Sequence, residues 1–270
     1  MTATRQDRPI AVNASERVVY RRPVLLADTS THYCPGCGHG IVHRLLAEVL
    51  DDLRLGPRTI AVAPVGCAVF AYAYLRLDFV EAPHGRAPAV ATGIRRVRPD
   101  AFVLAYQGDG DLAAIGTAEI VHAAARGEAI TVIFVNNGIY GMTGGQMAPT
   151  TLLGQRTTST PDGRDVRAAG YPLPITEMLA LLPGVGYAAR GSIADPSSVG
   201  RTKAMIRRAC EVQVADRAFA IVEVLSACPV GWGMTPREAA RHLADDVPAT
   251  YPIGVIVDRL RAAPDGRDSR

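Results

Sequence analysis

The sequence predicts an α/β protein with one open, doubly wound, mostly parallel sheet and helices on both faces. Two continuous apolar runs, at 101–107 and 129–135, are typical of strands buried on both sides. The segment between them, 112–126, has the spacing of an amphipathic helix, and a strand–helix–strand unit of this kind makes its two strands parallel. The same alternation resumes near residue 175, so we expect the sheet to continue beyond this unit.

The remaining elements follow from apolar spacing and from the turn residues that bound it. Helical periodicity predicts helices at 41–50, 88–97, 175–182, 198–212 and 236–245. Short apolar runs predict strands at 59–65, 186–190 and 219–225. The stretch 138–171 has little periodicity and is rich in Gly, Thr and Pro. It begins where a strand ends, so we expect a long functional loop over the ligand crevice at the carboxyl ends of the strands.

Length and composition fit one domain with two short extensions. The chain has 270 residues, of which 48% are hydrophobic and 20% are charged, and a chain of this length can still fold around a single core. We assign residues 31–255 to this domain. Residues 1–30 are polar and rich in Arg and are interpreted as an N-terminal arm, and residues 256–270 as a C-terminal tail.

Charge and hydropathy argue against two classes of partner. The net charge of +3 is spread along the chain, so electrostatics gives no support for nucleic-acid binding. No apolar run reaches the ~18–20 residues that span a bilayer, and the N-terminus lacks the apolar core of a secretory signal. We therefore expect a cytoplasmic protein that is not embedded in a membrane, whose five cysteines are kept reduced for metal or redox chemistry.

Polar residues follow the two strands of the strand–helix–strand unit. Gly108-Asp109-Gly110-Asp111 comes at the end of the first strand, and Asn136-Asn137-Gly138-Ile139 follows the second. Carboxylate and amide oxygens suit a hard divalent cation, and glycines beside a helix start let phosphate oxygens approach the backbone. This pattern favours a diphosphate bridged to the protein by a cation that Asp109 and Asn137 bind.

Two other interpretations of these residues stay open. Each motif alone fits an ordinary tight turn, and Gly108, Gly110 and Ala113 also satisfy the dinucleotide pattern G-x-G-x-x-A. The second interpretation is less favourable because Asp109 would repel a bare pyrophosphate. In addition, the second strand ends in two Asn residues, where a ribose-binding Asp or Glu is expected.

Four of the five cysteines stand in loops that we expect near the same crevice. Cys34 and Cys37 form a C-x-x-C loop before the first helix, while Cys67 and Cys228 each follow a predicted strand. The fifth, Cys210, lies inside a predicted helix and is interpreted as a buried small hydrophobic residue. Four such thiolates fit a [4Fe–4S] cluster, but a structural zinc site and a thioredoxin-like redox pair remain alternatives.

Several long motifs, in this order, resemble the β subunit of the 2-oxoacid:ferredoxin oxidoreductases, which are thiamine diphosphate enzymes. The resemblance covers most of residues 30–255. The motifs are Cys34-Pro35-Gly36-Cys37-Gly38-His39-Gly40, Val65-Gly66-Cys67, 84–93 (HGRAPAVATG), Gly108-Asp109-Gly110-Asp111, 136–146 (NNGIYGMTGGQ), 219–229 and Trp232-Gly233-Met234-Thr235-Pro236.

The resemblance implies a thiamine-diphosphate-binding fold and a full set of cofactor ligands. Mg²⁺ would be bound by Asp109, Asn137 and the carbonyl of Ile139. The [4Fe–4S] cluster would be bound by Cys34, Cys37, Cys67 and Cys228. The residues expected around thiamine diphosphate are Gly66, Cys67, Gly108, Asp109, Gly110, Asp111, Asn137, Ile139, Gly141, Met142 and Thr143. His84, Thr143 and Gln146 are the candidates for contact with the substrate or for acid–base catalysis.

The implied reaction is the coenzyme A-dependent oxidative decarboxylation of a 2-oxoacid to acyl-CoA and CO₂. The motif at 140–146 and the Gly231-Trp232-Gly233 segment look closer to the branched-chain or 2-oxoglutarate members, and aryl 2-oxoacids remain open. The family takes its aminopyrimidine-binding domain from an α subunit, so we expect this chain alone to be inactive. Ferredoxin-like γ and δ subunits and ferredoxin, or another electron acceptor, are the other implied partners. The alternatives are a zinc-stabilised structural subunit and a nicotinamide-dependent dehydrogenase.

Overall fold

Seven strands form the central sheet of the computed structural model, which describes residues 19–216 and 218–260. In spatial order they are β2 (Asp78–Glu81), β1 (Thr59–Ala63), β3 (Phe102–Gly108), β4 (Thr131–Asn136), β8 (Phe219–Leu225), β7 (Val185–Ser192) and β9 (Gly254–Asp258). Each neighbouring pair is parallel except β7 and β9, which are antiparallel. The predicted mostly parallel, doubly wound sheet is confirmed.

Helices cover both faces of this sheet. One face packs against α1 (His39–Asp52), α7 (Pro196–Glu211) and α9 (Pro236–Asp245), and the other against α3 (Ala87–Val97), α4 (Thr117–Ala125) and α6 (Ile175–Ala180). Strand β3 shows why its sequence is apolar throughout. Leu104 and Tyr106 point into the first core, while Val103 and Ala105 point into the second.

Short elements complete the chain between these layers. They are α2 (Ala71–Tyr74), the two-residue strands β5 (Ile139–Tyr140) and β6 (Gln146–Met147), α5 (Val166–Ala169), α8 (Pro229–Trp232) and α10 (Val247–Thr250). The stretch 138–171 is a long loop, as predicted, apart from the β5–β6 hairpin and α5. None of the helices in the described ranges has the length and apolar character needed to cross a membrane.

The helix predicted at 112–126 is divided at Gly116. It opens with a π-helical turn, Asp111–Ile115, and α4 begins at Thr117. A Cβ at Gly116 would lie 2.7 Å from the carbonyl oxygen of Gly85, so the chain passes here at a distance that only glycine permits. The π-helical turn thus ends at Gly116, which lies directly against Gly85 in the loop that carries His84.

The two predicted domain boundaries do not separate structural units. Leu26 forms a β-bridge with Leu75, and Leu25 is buried against Gly56, so this part of the predicted arm packs with the domain. At the other end, the boundary after residue 255 lies inside β9. Residues 1–18 of the arm and 261–270 of the tail lie outside the described residues.

Buried histidines on the inner face of the first helix predict that the fold is sensitive to acid. His43 is 2% exposed, its Nδ1 has no hydrogen-bond partner, and burial lowers its pKa to about 3. Since the folded chain binds fewer protons than the unfolded chain below the usual value of 6.5, stability should fall as the pH drops from there. At ~1.4 kcal/mol per pKa unit, the loss by pH 4 is about 3 kcal/mol.

Replacing His43 by Leu should remove this part of the pH dependence. Urea unfolding at pH 7 and pH 4.5 measures it, and His122→Leu, at an exposed position of α4, is the matched control. An equal loss of stability on acidification in the wild type and in His43→Leu would contradict the prediction.

Candidate functional site

Four loops that carry the predicted site residues meet at one edge of the sheet. They follow β1, β3, β4 and β8, which are consecutive neighbours in the sheet, and they bring Cys67, Asp109, Asn137 and Cys228 to its carboxyl edge. The ends of the last three strands are level, because Gly108 pairs with Val135 in register and Asn136 continues this register onto β8. Ligands of open α/β sheets bind at this edge.

The structure brings the predicted metal ligands Asp109 and Asn137 together. One Asp109 carboxylate oxygen and the side-chain oxygen of Asn137 both accept a hydrogen bond from the backbone N–H of Ile139, each at 3.2 Å. The Asp109 carboxylate also accepts from the Thr150 hydroxyl and from the Gly110 N–H, at 2.8 Å each. A carboxylate oxygen and an amide oxygen therefore lie beside the same atom.

The environment of Asp109 disfavours its negative charge. Its side chain is buried, and burial raises its pKa to about 6, although the hydrogen bonds from Thr150, Gly110 and Ile139 oppose this shift. No positively charged protein group is among the causes of the shift. A cation at this position would favour the ionised form, so the residues present fit a site for a divalent metal ion.

The glycines of this edge differ in what surrounds them. A Cβ at Gly108 or Gly66 would meet no atom within 4 Å, which leaves both backbones open to a ligand. Gly66 also has φ +136°, a conformation that favours glycine. At Gly110 a Cβ would lie 2.1 Å from the Tyr140 ring, so here the glycine makes room for an aromatic side chain rather than for phosphate oxygens.

Asp111 connects two loops of the site and fixes His84. It is 2% exposed, and its carboxylate accepts hydrogen bonds from Nδ1 of His84, from the Gly85 N–H at 2.8 Å and from the Gln107 amide at 2.6 Å. The side chain of His84 is 34% exposed. Asp111 therefore holds one ring nitrogen of His84 inside the protein while the ring remains accessible.

The other two catalytic candidates bond to each other. In the turn between β5 and β6, the Thr143 hydroxyl donates to the Gln146 side-chain oxygen at 2.6 Å, and the Gln146 amide donates to the Thr143 carbonyl at 2.9 Å. Met142, in the same turn, is 58% exposed. This turn is an accessible surface beside the metal ligands, to which it is joined through Ile139 and Tyr140.

The C-x-x-C loop lies on the segment that carries Cys228. A Cβ at Gly36 would lie 2.8 Å from Pro236 and 3.1 Å from Pro229, and a Cβ at Gly38 would meet the Ser226 hydroxyl. Gly36 also has φ +80°, which reverses the chain between the two cysteines. Packing of this loop against 226–236 therefore brings Cys34 and Cys37 to the Cys228 loop.

The sulfurs of Cys67 and Cys228 both lie beside Gly141. A Cβ at Gly141 would be 3.4 Å from the Cys67 sulfur and 3.3 Å from the Cys228 sulfur. Gly141 follows Asn137 by four residues. The segment 137–141 thus belongs both to the predicted metal site and to the predicted cluster site.

The surroundings of Cys37, Cys67 and Cys228 favour the neutral thiol over the thiolate. Burial raises the pKa of Cys37 to about 11 and that of Cys228 to about 12, and it also raises the pKa of Cys67. The other thiols of the group add to each of these shifts. Within 19–216 and 218–260, no three His, Cys, Asp or Glu side chains converge closely enough to hold a single metal ion.

Comparison with known proteins identifies the family. The model of the family "Thiamine pyrophosphate enzyme, C-terminal TPP binding domain" matches residues 65–224, more than half of the chain. The 2-oxoglutarate synthase subunit KorB of Methanocaldococcus jannaschii is 39% identical over 202 residues, which are 74% of this chain and 70% of that protein. The chain belongs to the 2-oxoacid:ferredoxin oxidoreductase family.

Two further relatives support membership of this oxidoreductase family. The ketoisovalerate oxidoreductase subunit VorA of Methanothermobacter thermautotrophicus is 49% identical over 241 residues, covering 89% of this chain. The chain spans half the length of that relative. The 2-oxoglutarate:ferredoxin oxidoreductase of Magnetococcus marinus, solved with 2-oxoglutarate, coenzyme A and succinyl-CoA bound, superimposes with a TM-score of 0.68 at 27% identity over 81% of this chain and 72% of that one.

The structure adds residues of this candidate site that sequence reasoning missed. Thr150 bonds the Asp109 carboxylate from a loop 41 residues away along the chain. Trp232 donates its indole N–H to the backbone carbonyl of Asn137 at 2.9 Å. Neither contact has a local sequence signal, because each joins segments that only the folded sheet brings together.

Arg164 stabilises the long loop that supplies Thr150. Its guanidinium is buried and donates to backbone carbonyls of the same loop, at 2.7 Å to Thr151, 2.7 Å to Tyr171 and 2.8 Å to Pro149. Arg164→Met should therefore leave several buried carbonyls without donors. We expect the free energy of unfolding to fall by about 3 kcal/mol and amide exchange across 148–171 to accelerate.

The matched control is Arg156→Met. Arg156 lies in the same loop, is exposed, and donates to one carbonyl, that of Pro161, at 2.6 Å. Its replacement should change stability by less than about 0.5 kcal/mol. Similar losses in both variants would show that Arg164 has no special role in ordering this loop.

Proposed function

We propose that this chain is the β subunit of a 2-oxoacid:ferredoxin oxidoreductase, with thiamine diphosphate–Mg²⁺ and a [4Fe–4S] cluster as its cofactors. The proposed reaction converts a 2-oxoacid and coenzyme A to acyl-CoA and CO₂. One observation carries the proposal. Asp109 and Asn137 share the Ile139 N–H, and Gly141, four residues after Asn137, lies beside the sulfurs of both Cys67 and Cys228. A site for a metal-bound diphosphate and a site for an electron acceptor are adjacent here.

The oxygen donors support Mg²⁺ at the first of these sites. Asp109, Asn137 and the Ile139 carbonyl would bind the ion, and the open backbone at Gly108 and Gly66 would admit the diphosphate. When bound, thiamine diphosphate supplies the carbanion chemistry of decarboxylation and the cluster accepts electrons. The residues of this chain would hold these groups in position.

The positions of the thiols support one shared site for an electron-accepting cluster. The sulfurs of Cys67 and Cys228 lie within 3.4 Å of one point beside Gly141, and the loop of Cys34 and Cys37 packs against the Cys228 segment. We favour a [4Fe–4S] cluster over zinc because these four positions match the cluster cysteines that the family resemblance implies. Burial raises the pKa of Cys37, Cys67 and Cys228, so a cationic group would be required to hold these three as thiolates.

His84 is proposed as the residue that contacts the substrate carboxylate or moves a proton. Asp111 bonds its Nδ1 and thereby fixes the ring and the tautomer, which leaves Nε2 for the substrate. Thr143 and Gln146 are proposed to line the same site from the β5–β6 turn, together with Met142.

The chain is proposed to work in the cytoplasm, in a complex. The described residues form one α/β unit, which would bind the diphosphate part of the cofactor. The family resemblance implies that an α subunit supplies the aminopyrimidine-binding domain. Ferredoxin-like γ and δ subunits would pass electrons from the cluster to ferredoxin or another acceptor. Of the substrate classes, we favour a branched-chain 2-oxoacid over 2-oxoglutarate and aryl 2-oxoacids. The named ketoisovalerate relative is 49% identical, against 39% for the 2-oxoglutarate relative.

Cofactor analysis of the anaerobically purified complex tests the proposal. We expect about four iron atoms per chain, bound thiamine diphosphate, Mg²⁺, and a broad visible absorbance that dithionite bleaches. With coenzyme A and an acceptor dye, 2-oxoisovalerate should be oxidised faster than 2-oxoglutarate or phenylglyoxylate. Zinc in place of iron, or stabilisation by NAD but not by thiamine diphosphate and Mg²⁺, would refute the proposed function.

A further inference from the structure

The turn that carries the proposed metal ligand Asn137 is shaped by the residue before it. The side-chain oxygen of Asn136 accepts the backbone N–H of Gly138 at 3.1 Å, and Gly138 has φ +67°. This contact reverses the chain immediately after β4. As a result, the Asn137 side chain and the Ile139 N–H both lie beside Asp109.

The amide of Asn136 can form this turn in only one of its two orientations. If the amide were flipped, its NH₂ group would face the Gly138 N–H, and two donors would oppose each other. The observed orientation is selected by Glu223 on β8, whose carboxylate accepts a hydrogen bond from the Asn136 NH₂ at 2.7 Å. Glu223 is 1% exposed, so little water can compete for this contact.

Glu223 is itself fixed on its other side. Its second oxygen accepts from the Thr176 hydroxyl at 2.6 Å and from Nε of Arg190 at 2.8 Å. Arg190, which is fully buried, also donates twice to Glu177, at 2.6 Å each. The second oxygen is therefore occupied, and the first is left for Asn136.

We propose that Glu223 is a positioning residue for the metal site, acting by fixing the amide of Asn136. A carboxylate is required because both of its oxygens accept hydrogen bonds. A Gln at this position has one oxygen, so its NH₂ would face either Asn136 or the donors of Thr176 and Arg190. The inference rests on the proposed function, since it concerns affinity for the metal and diphosphate.

The test compares three variants of the full chain, purified with the subunits that bind it. Affinity for Mn²⁺, which replaces Mg²⁺ at oxygen sites, is measured by electron paramagnetic resonance in the presence of thiamine diphosphate, and thermal unfolding is recorded in parallel. Glu223→Gln should weaken Mn²⁺ binding at least about tenfold. Thr176→Val removes another hydrogen bond to Glu223 but leaves the contact with Asn136 (2.7 Å) intact, so it should lower the melting temperature without changing affinity.

The double variant Glu223→Gln with Asn136→Asp tests the orientation directly. The amide introduced at position 223 would then donate to the carboxylate introduced at position 136, whose other oxygen still accepts from Gly138. Affinity should therefore return to within about threefold of the wild type. If Glu223→Gln does not fold, Asn136→Ala removes the oriented amide while retaining Glu223, and it should weaken binding to a similar degree.

Each outcome separates this inference from the proposed function. Wild-type affinity in Glu223→Gln, or in Asn136→Ala, would overturn the positioning role of Glu223. So would a double variant that folds but binds as weakly as Glu223→Gln. Absence of Mn²⁺ binding in the wild type with thiamine diphosphate would instead overturn the proposed metal site, whatever the variants do.

Discussion

Replacement of Asp109 by Asn is expected to abolish binding of thiamine diphosphate with Mg²⁺, with an affinity loss of at least about 100-fold. The carboxylate is the one anionic side chain among the proposed ligands, and an amide of the same shape cannot neutralise the ion. Isothermal titration of the complex with thiamine diphosphate and Mg²⁺ measures the loss, and 2-oxoacid oxidation should become undetectable.

The stability of the metal-free chain should change little in the same variant. Burial raises the pKa of Asp109 from 3.8 to about 6, so the ionised carboxylate destabilises the fold, and this penalty grows as the pH rises from the lower value and is complete above the higher one. The Asn side chain is uncharged and so removes the penalty. Its NH₂ group, however, would face the Gly110 N–H, which has lost its carboxylate acceptor. These effects act in opposite directions, so we expect a net change within about 1 kcal/mol.

Asp162→Asn is the matched control for this experiment. Asp162 is exposed in the loop 138–171, and its replacement should leave binding unchanged. Normal binding of thiamine diphosphate and Mg²⁺ by Asp109→Asn would contradict the assignment of the metal site.

Replacement of Cys67 by Ser should remove the iron–sulfur cluster. A serine hydroxyl has a much higher pKa than a thiol and is a poor ligand for iron, so we expect iron to fall from about four to fewer than about one per chain. The visible absorbance should disappear, and dye reduction should fall at least about 100-fold because the electrons have no exit.

Cys210→Ala provides the control within the same chain. Cys210 is fully buried in α7, and it belongs to an apolar core. Its replacement should cost about 1 kcal/mol for the small cavity and leave the iron content unchanged. Loss of iron in Cys210→Ala, or full iron in Cys67→Ser, would show that the thiols have been assigned incorrectly.

The central sheet could be predicted because its sequence signals are local. Strands β3 and β4 are apolar on both faces, so each forms one uninterrupted run, and the helix between them makes the pair parallel. The edge strands β2 and β9 escape prediction for the same reason. Their residues are largely exposed or half-buried, so they carry no run of apolar residues.

The site could be predicted only in part. Residues that follow neighbouring parallel strands must meet at one edge, and this rule brought Asp109 and Asn137 together. The groups that orient them could not be found in this way. Glu223 contacts Asn136 from 87 residues further along the chain, and Arg164 donates to several backbone carbonyls of its own loop. Neither arrangement has a distinctive spacing in the sequence.

The dinucleotide interpretation loses one of its supports in the structure. The second glycine of that pattern, Gly110, packs against the ring of Tyr140, whereas the pattern requires open space there for the pyrophosphate. The first glycine, Gly108, remains open. With Gly108 open and Gly110 covered, the loop fits the proposed diphosphate better when a metal ion at Asp109 binds it than when the glycine turn alone does.

The contact between Trp232 and Asn137 places a fluorescent side chain at the candidate site. Trp232 is the single tryptophan in 270 residues, and its indole bonds the carbonyl next to the metal ligands. The whole tryptophan emission of the chain therefore arises from one ring, which is bonded to the backbone of the proposed metal ligand Asn137 and follows Cys228 by one helical turn. We expect binding of either proposed cofactor to change that fluorescence, so that loading can be followed in real time without a label.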